Sequence, residues 1–130
     1  MDQNFKSTKN EIERLLNKTK EIINDPCFDY KNQFILYERK NDFEANVYNN
    51  KSTMMLLSYD TIDLVREISQ LEYKDYYETI VDVIGSEIFL YVFKKEIKGY
   101  LIYIKFSIRN NKIIFCISFH VSKENKKGKV

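Results

Sequence analysis

The chain has 130 residues, the size of one ordinary domain, and we treat residues 1–130 as a single domain. Hydrophobic residues make up 44% and charged residues 31% of the sequence, which favours a globular fold over a disordered chain. The formal net charge is +2, but residues 1–93 contain 11 Lys and Arg against 17 Asp and Glu, whereas residues 94–130 contain 10 against 2. This basic C-terminal third, which ends in a basic tail at residues 122–130, indicates contact with a polyanion.

Several functional classes are disfavoured by the same sequence. The longest apolar runs have the length of a strand, far short of the roughly 20 residues that span a bilayer, and the N-terminus has no apolar signal segment. Cys27 and Cys116 form no close pair, and with one histidine in the chain a Cys/His zinc site is nearly excluded. We therefore expect a cytoplasmic protein with reduced thiols, no membrane partner, and no metal ion or other cofactor.

The first two thirds of the chain predict two helices and one strand. Thr8-Lys9-Asn10-Glu11 has the pattern of a capping box and predicts a helix over residues 8–24. Residues 34–37 form a short apolar run that predicts a strand, and residues 39–53 predict a polar loop with at most one helical turn. Asp60 is the predicted N-cap of a second helix that runs to about residue 71, and residues 73–86 predict a connection.

The last third predicts an antiparallel meander of three strands at residues 88–93, 100–108 and 113–121. Asn110-Asn111 suits a tight turn because Asn tolerates positive φ. Pairing Arg109 with Lys112 fixes a register in which one face is apolar throughout. The predicted apolar pairs are Ile108–Ile113, Phe106–Phe115, Ile104–Ile117 and Ile102–Phe119, and the pairs on the opposite face are Lys105–Cys116, Tyr103–Ser118 and Leu101–His120.

The hairpin between the first two strands of this meander is predicted to turn through a four-residue loop at residues 95–98. This loop pairs Leu90 with Tyr103 and Ile88 with Lys105. The same register directs the side chains of Phe89, Tyr91 and Phe93 toward the core.

The face opposite the predicted core gathers Tyr103, Lys105, Ser118 and His120, with Arg109 further along at the turn. Tyr103 and His120 are predicted diagonal neighbours, about 7–8 Å apart at Cα. An imidazole, a phenol and cations are the groups that metal-independent RNA cleavage needs, because the reaction transfers two protons and develops negative charge at phosphorus. The alternative is that all four are ordinary outward-facing residues, and that the histidine is simply hydrogen-bonded near a strand end.

Four short segments in order resemble the motility quorum-sensing regulator (MqsR-like) toxin family, within the RelE-like superfamily. The resemblance spans roughly residues 34–121, and upstream Glu38-Arg39-Lys40-Asn41 is similar to a further family segment. The four segments are Asp75-Tyr76-Tyr77, Val92-Phe93-Lys94-Lys95-Glu96-Ile97-Lys98-Gly99, Tyr103-Ile104-Lys105-Phe106 and Cys116-Ile117-Ser118-Phe119-His120. The chain departs from the family at Leu90 and Glu78, where some members carry a polar and a basic residue.

The resemblance implies an α+β, RelE-like fold with N-terminal helices on one face of a twisted antiparallel sheet. It further implies the toxin of a type II toxin–antitoxin pair, an endoribonuclease (mRNA interferase) whose partners are mRNA and a cognate antitoxin, often a zinc-ribbon plus helix-turn-helix protein. Tyr103, Lys105 and His120 are then the expected catalytic residues. His120 acts as general acid or base, and Tyr103 orients or deprotonates the 2′-OH if nearby cations lower its pKa. The expected RNA-binding residues are Lys94, Lys95, Lys98, Arg109 and Ser118.

Two other functions remain open from the sequence. One is a RelE-superfamily toxin with another target or with dependence on the ribosome. The other is a non-catalytic interaction module whose sheet binds a protein, although such a face usually shows more exposed aromatic residues and fewer cations.

Overall fold

A computed structural model of the protein describes residues 3–37, 49–82 and 88–124. The described strands form one sheet in the order β1-β3-β4-β5-β6-β2, in which every neighbouring pair is antiparallel except β2 and β6. The predicted α+β class, with helices on one face of a mainly antiparallel sheet, is confirmed. The elements are β1 (Gln3–Phe5), α1 (Lys9–Asn24), β2 (Phe34–Leu36), α2 (Asn50–Leu57), α3 (Thr61–Ser69), a 3₁₀ turn (Tyr73–Asp75), β3 (Tyr76–Asp82), β4 (Ile88–Ile97), β5 (Tyr100–Arg109) and β6 (Ile113–Val121).

Both predicted helices begin at the residues expected to cap them. The Glu11 N–H donates to Thr8 Oγ1 and the Thr8 N–H donates to Glu11 Oε1, which together form the predicted capping box of α1. Asp60 caps α3 in the same way. Apolar side chains from α1, α2 and α3 pack with those of β4, β5 and β6 into one core on the helix face of the sheet. The buried apolar residues of the helices are Ile12, Leu16, Ile22, Leu57, Leu64, Val65 and Ile68.

The β4–β5 hairpin is tighter than predicted. Strand β4 continues to Ile97, and only Lys98 and Gly99 form the turn, with φ of 51° and 85°. Gly99 makes this turn possible because glycine adopts positive φ without steric cost. The predicted pairing of Leu90 with Tyr103 is therefore wrong, and Lys94 takes that place. The shift is four residues, an even number, so the residues of β4 keep their predicted faces. Phe93 is fully buried in the core and Tyr91 packs against it, but Phe89, which was predicted to point toward the core, is 49% exposed.

The β5–β6 hairpin differs from the prediction at both ends. Asn110 and Asn111 have positive φ as expected, but the first paired residues are Arg109 and Ile113. This shifts the register by one residue near the turn, so the predicted core positions of residues 113, 115 and 117 are wrong. The side chains of Ile114 and Cys116 lie in the core instead, both fully buried.

A β-bulge at Ile117 restores the predicted faces for the end of β6. Phe106 pairs with Cys116 while Lys105 pairs with Ser118, so Ile117 is the extra residue on β6. Beyond the bulge the register differs from the prediction by two residues, and a shift of two keeps each side chain on its face. Phe119 accordingly lies in the core as expected.

Helix α2 closes the edge of β6, and the sequence did not predict it. Strand β2 pairs with β6 only as far as Cys116, so the backbone N–H groups of Phe119 and Val121 need acceptors elsewhere. Asn50 Oδ1 accepts from the Phe119 N–H at 2.8 Å and Thr53 Oγ1 accepts from the Val121 N–H at 2.9 Å. Two side chains of α2 thus replace a strand partner for the last residues of β6.

Two further predictions need correction. Residues 76–82 form strand β3 between β1 and β4, where the sequence predicted a connection over residues 73–86. The predicted loop over residues 39–53 contains the beginning of α2. The remaining residues of both predictions, 39–48 and 83–86, lie outside the described residues, as do residues 125–130 of the predicted tail.

We predict that Thr53→Val lowers the free energy of unfolding by about 1–2 kcal/mol, because valine keeps the shape of the buried threonine but leaves the Val121 N–H without an acceptor. Urea denaturation followed by circular dichroism measures the change. The control is Thr61→Val at an exposed position of α3, which we expect to change stability by less than about 0.5 kcal/mol. Equal stability of wild type and Thr53→Val would contradict the edge-closing role of α2.

Candidate active site

The sheet face opposite the helices, here called the second face, carries polar side chains next to a small buried apolar cluster of Ile80, Leu90 and Val92. Strand pairing aligns the polar side chains in two adjacent rows, because each residue lies directly opposite its partner. The first row is Lys94, Tyr103 and His120, and the second is Glu78, Val92, Lys105 and Ser118. We call Glu78, Lys94, Tyr103, Lys105 and His120 the polar cluster.

Tyr103 and His120 are closer than the sequence predicted. They are direct cross-strand partners instead of diagonal neighbours, and their rings stack with centroids 5.4 Å apart and planes at 15°. His120 Nδ1 lies 3.0 Å from the carbonyl oxygen of Val121. A carbonyl only accepts, so Nδ1 carries the proton of this bond and Nε2 is the nitrogen that would exchange a proton with a substrate.

The pKa of the Tyr103 phenol is raised above its ordinary value. The largest cause is burial of the phenol, followed by the negative charge of Glu78 and then by Tyr77. A phenol with a raised pKa stays protonated at neutral pH and donates a hydrogen bond. The condition under which Tyr103 would act as a base, a pKa lowered by nearby cations, is therefore not met.

Lys94 is held beside this pair by neighbours on two sides. Its Nζ lies 3.6 Å from the centroid of the Tyr77 ring and forms an ion pair with Glu124. The Lys94 side chain is only 16% exposed, so its ammonium group is held in a defined position. Tyr77 itself is 40% exposed. It belongs to the Asp75-Tyr76-Tyr77 segment of the family resemblance but was not predicted as a site residue, because its face is defined only once residues 76–82 are known to form a strand.

Lys95 and Lys98 lie on the helix side of the β4–β5 hairpin, away from the polar cluster. Lys95 Nζ is 3.3 Å from Glu67 Oε1, and Glu67 also accepts from the hydroxyl of Tyr59. Lys98 donates to the carbonyl oxygen of Leu57 at 2.7 Å and lies over the Tyr59 ring. Both lysines thus tie the hairpin to α2 and α3, and the structure does not bring them together with the other proposed RNA-binding residues.

Arg109 and Ser118, also proposed to bind RNA, differ in their relation to the polar cluster. Ser118 lies directly opposite Lys105 and is 8% exposed. Arg109 is six residues further along β5 than Tyr103, about 20 Å away at the rise of an antiparallel strand. Its guanidinium carbon lies 3.8 Å from the centroid of the Phe115 ring, so it forms a separate site near the β5–β6 turn.

The chemistry of the second face rests on a carboxylate, two ammonium groups, a phenol and an imidazole. Across residues 3–37, 49–82 and 88–124, no three His, Cys, Asp or Glu side chains form a group that could hold a metal ion. Over the same ranges, no helix has the length and apolar character needed to cross a membrane.

Helices on one face of a sheet and a polar cluster on the other define a small α+β protein with its candidate active site on the sheet. A sequence model of a toxin family, described as "Motility quorum-sensing regulator, toxin of MqsA", matches residues 33–121. Because the match covers more than half of the chain and includes β2 through β6, the chain belongs to this family and is the toxin of a toxin–antitoxin system. The family resemblance seen in the sequence is thereby confirmed. No curated protein matches the chain.

We predict that the Tyr103 phenol titrates above pH 10, and that Glu78→Gln lowers the midpoint toward 10 by removing a negative charge that opposes ionisation. Burial still acts in the variant, so its midpoint stays above 10. NMR of protein labelled with ¹³C at tyrosine Cζ measures both values, and Tyr103→Phe assigns the resonance. A midpoint below 10 in the wild type would mean that the lysines dominate and would restore the phenol as a candidate base.

Proposed function

We propose that this toxin is an endoribonuclease that cleaves mRNA by acid–base catalysis without a metal ion. The observation that carries the proposal is the stacked Tyr103–His120 pair, flanked on the same face by Lys94 and Lys105. Attack of a ribose 2′-OH on the adjacent phosphorus needs a base, cations that stabilise the phosphorane, and an acid for the departing 5′ oxygen. The second face offers groups of each kind within two rows of paired residues.

His120 is the proposed general acid, with its Nε2 donating to the 5′ oxygen. The Val121 carbonyl holds Nδ1 and thereby fixes the orientation of the ring. Lys94 and Lys105 are proposed to bind the non-bridging phosphate oxygens, where negative charge develops as the phosphorane forms. Tyr103 donates a hydrogen bond to the phosphate and keeps the imidazole in place by stacking.

Membership of a toxin family implies a cognate antitoxin as the protein partner. We propose that this antitoxin is of the MqsA kind, a zinc-ribbon and helix-turn-helix protein, and that the toxin acts on mRNA in the cytoplasm. Lys94 is already paired with Glu124 in the free protein, so an RNA phosphate that binds there displaces a carboxylate.

We predict that the purified protein cleaves an unstructured oligoribonucleotide in the presence of a chelator, leaving a 2′,3′-cyclic phosphate and a 5′-OH end. His120→Ala is expected to lower the rate at least about 100-fold, because it removes the proton donor. The free energy of unfolding should change by at most about 1 kcal/mol, since His120 lies at the half-exposed second face. Inducible expression with mapping of transcript 5′ ends should give growth arrest and cuts at a short recurrent sequence for the wild type alone.

Three results would contradict this function. One is growth and intact transcripts during expression of well-folded wild type, and another is a requirement for Mg²⁺. The third is a His120→Ala variant that cleaves at the wild-type rate per folded molecule. Cleavage that occurs only on ribosomes would instead identify the ribosome-dependent class of toxin, with the same residues tested by the same variant.

A further inference from the structure

The proposed reaction needs a group that takes the proton of the 2′-OH, and neither residue of the stacked pair supplies it. Tyr103 has a raised pKa and stays protonated. His120 cannot donate a proton to the 5′ oxygen and accept one from the 2′-OH in the same step, because these transfers occur on opposite sides of the phosphorus. Glu78 carries the one carboxylate of the polar cluster, and none of the proposed roles of His120, Tyr103, Lys94 and Lys105 involves it.

Glu78 lies on the second face at the β3 end of the second row, whereas His120 lies at the β6 end of the first row. Glu78 pairs with Val92, which pairs with Lys105, so two strand spacings separate it from β5. Asn4 of β1 donates to Glu78 Oε2 at 3.0 Å, which holds this carboxylate oxygen on the β1 side of β3. After burial of the phenol, the negative charge of Glu78 is the second cause of the raised pKa of Tyr103.

The order of strands sets the two candidate proton-transfer groups on opposite sides of the cations. Glu78 is on β3 and His120 on β6, three strand spacings (about 14 Å) apart across the sheet and two residues (about 7 Å) apart along the strands, which is about 16 Å between their backbones. Lys94, Tyr103 and Lys105 lie on the two strands between them. This order is compatible with in-line attack, in which the 2′ oxygen enters and the 5′ oxygen leaves on opposite sides of a phosphorus that cations hold in the middle. Both side chains then extend toward the middle of the sheet to contact the same phosphodiester.

We propose that Glu78 is the general base of the cleavage step, an inference that rests on the proposed ribonuclease function. The Glu78 carboxylate takes the 2′-OH proton while the 2′ oxygen forms a bond to phosphorus. The bond between phosphorus and the 5′ oxygen breaks, and that oxygen takes the proton from His120. Glu78 ends protonated and His120 neutral, the RNA ends as a 2′,3′-cyclic phosphate and a 5′-OH, and exchange with water restores both side chains.

A purely structural role for Glu78 predicts different behaviour. Its bond to Asn4 joins β1 to β3, and loss of that tie would alter stability and substrate binding together. The charged and titratable groups near Glu78 are Tyr77 beside it on β3, Lys6 after β1, Lys94 on β4, and Tyr103 and Lys105 on β5. Lys6 donates to the carbonyl oxygen of Tyr77, and its Nζ lies 5.0 Å from the centroid of the Tyr77 ring. Neutralising Glu78 makes this region more positive, so RNA binding should be unchanged or tighter if the carboxylate acts only in the chemical step.

The test is the Glu78→Gln variant of the full chain, assayed on an unstructured oligoribonucleotide across the pH range. We expect kcat to fall about 100-fold or more with KM unchanged or lower, because glutamine accepts the Asn4 hydrogen bond but takes up no proton. The acidic limb of the wild-type pH–rate profile should be absent in the variant. Glu96→Gln, which removes a carboxylate from β4, should match the wild type in rate and pH profile.

Asn4→Ala separates catalysis from the tie between β1 and β3. This variant removes the hydrogen bond and keeps the carboxylate. We therefore expect kcat to fall by less than about tenfold, and the acidic limb of the pH–rate profile to be retained. If urea denaturation shows that Glu78→Gln does not fold, Glu78→Asp provides the test instead. This variant keeps a carboxylate, so it should keep the acidic limb of the pH–rate profile at a reduced rate.

A Glu78→Gln variant with the wild-type rate, or with an unchanged acidic limb, would overturn the assignment of the base, as would loss of the limb in Glu78→Asp. Each of these three results leaves the ribonuclease function intact, because the wild type still cleaves. Absence of cleavage by the wild type would overturn the proposed function itself, and the base assignment with it.

Discussion

The candidate site depends on how the exposed edge of β6 is closed. Within residues 3–37, 49–82 and 88–124, no strand pairs with this edge beyond Cys116, and the side chains of Asn50 and Thr53 accept from the backbone N–H groups of Phe119 and Val121. These bonds fix the residues on either side of His120. The side chain of Phe119 packs in the core on the helix face of the sheet. The next residue, His120, therefore points to the opposite face, where its imidazole stacks on the ring of Tyr103.

The two faces of the sheet use lysine for different purposes. On the helix face, Lys95 pairs with the largely buried Glu67 and thereby joins the β4–β5 hairpin to α3. On the second face, Lys94 lies between the Tyr77 ring and its cross-strand partner Tyr103. Alternation along a strand is the whole cause of the difference, since adjacent residues of β4 point to opposite faces.

The sequence predicted the faces better than the registers, and the reason is the two-residue period of a strand. The predicted register between β4 and β5 was wrong by four residues, and the predicted pairing of Tyr103 with β6 was wrong by two. Both shifts are even, so each side chain stayed on its predicted face. The one-residue error near the turn reversed Phe115 and Cys116, because nothing local in the sequence marks the bulge at Ile117. Local patterns also missed β3 and α2, whose stability comes from pairing with β1 and β4 and from the edge of β6, contacts distant in sequence.

The most direct test of the account compares Lys94→Gln with Lys95→Gln, adjacent substitutions that remove the same charge from opposite faces of one strand. The measurement is affinity for an oligoribonucleotide blocked at its 2′ positions, as a function of salt concentration. The account predicts that Lys94→Gln weakens binding and lowers the salt slope by about 0.7, the value of one phosphate contact in a single strand, while Lys95→Gln keeps the wild-type affinity and slope. Equal weakening by both variants, or weakening by Lys95→Gln alone, would contradict the assignment of RNA binding to the second face.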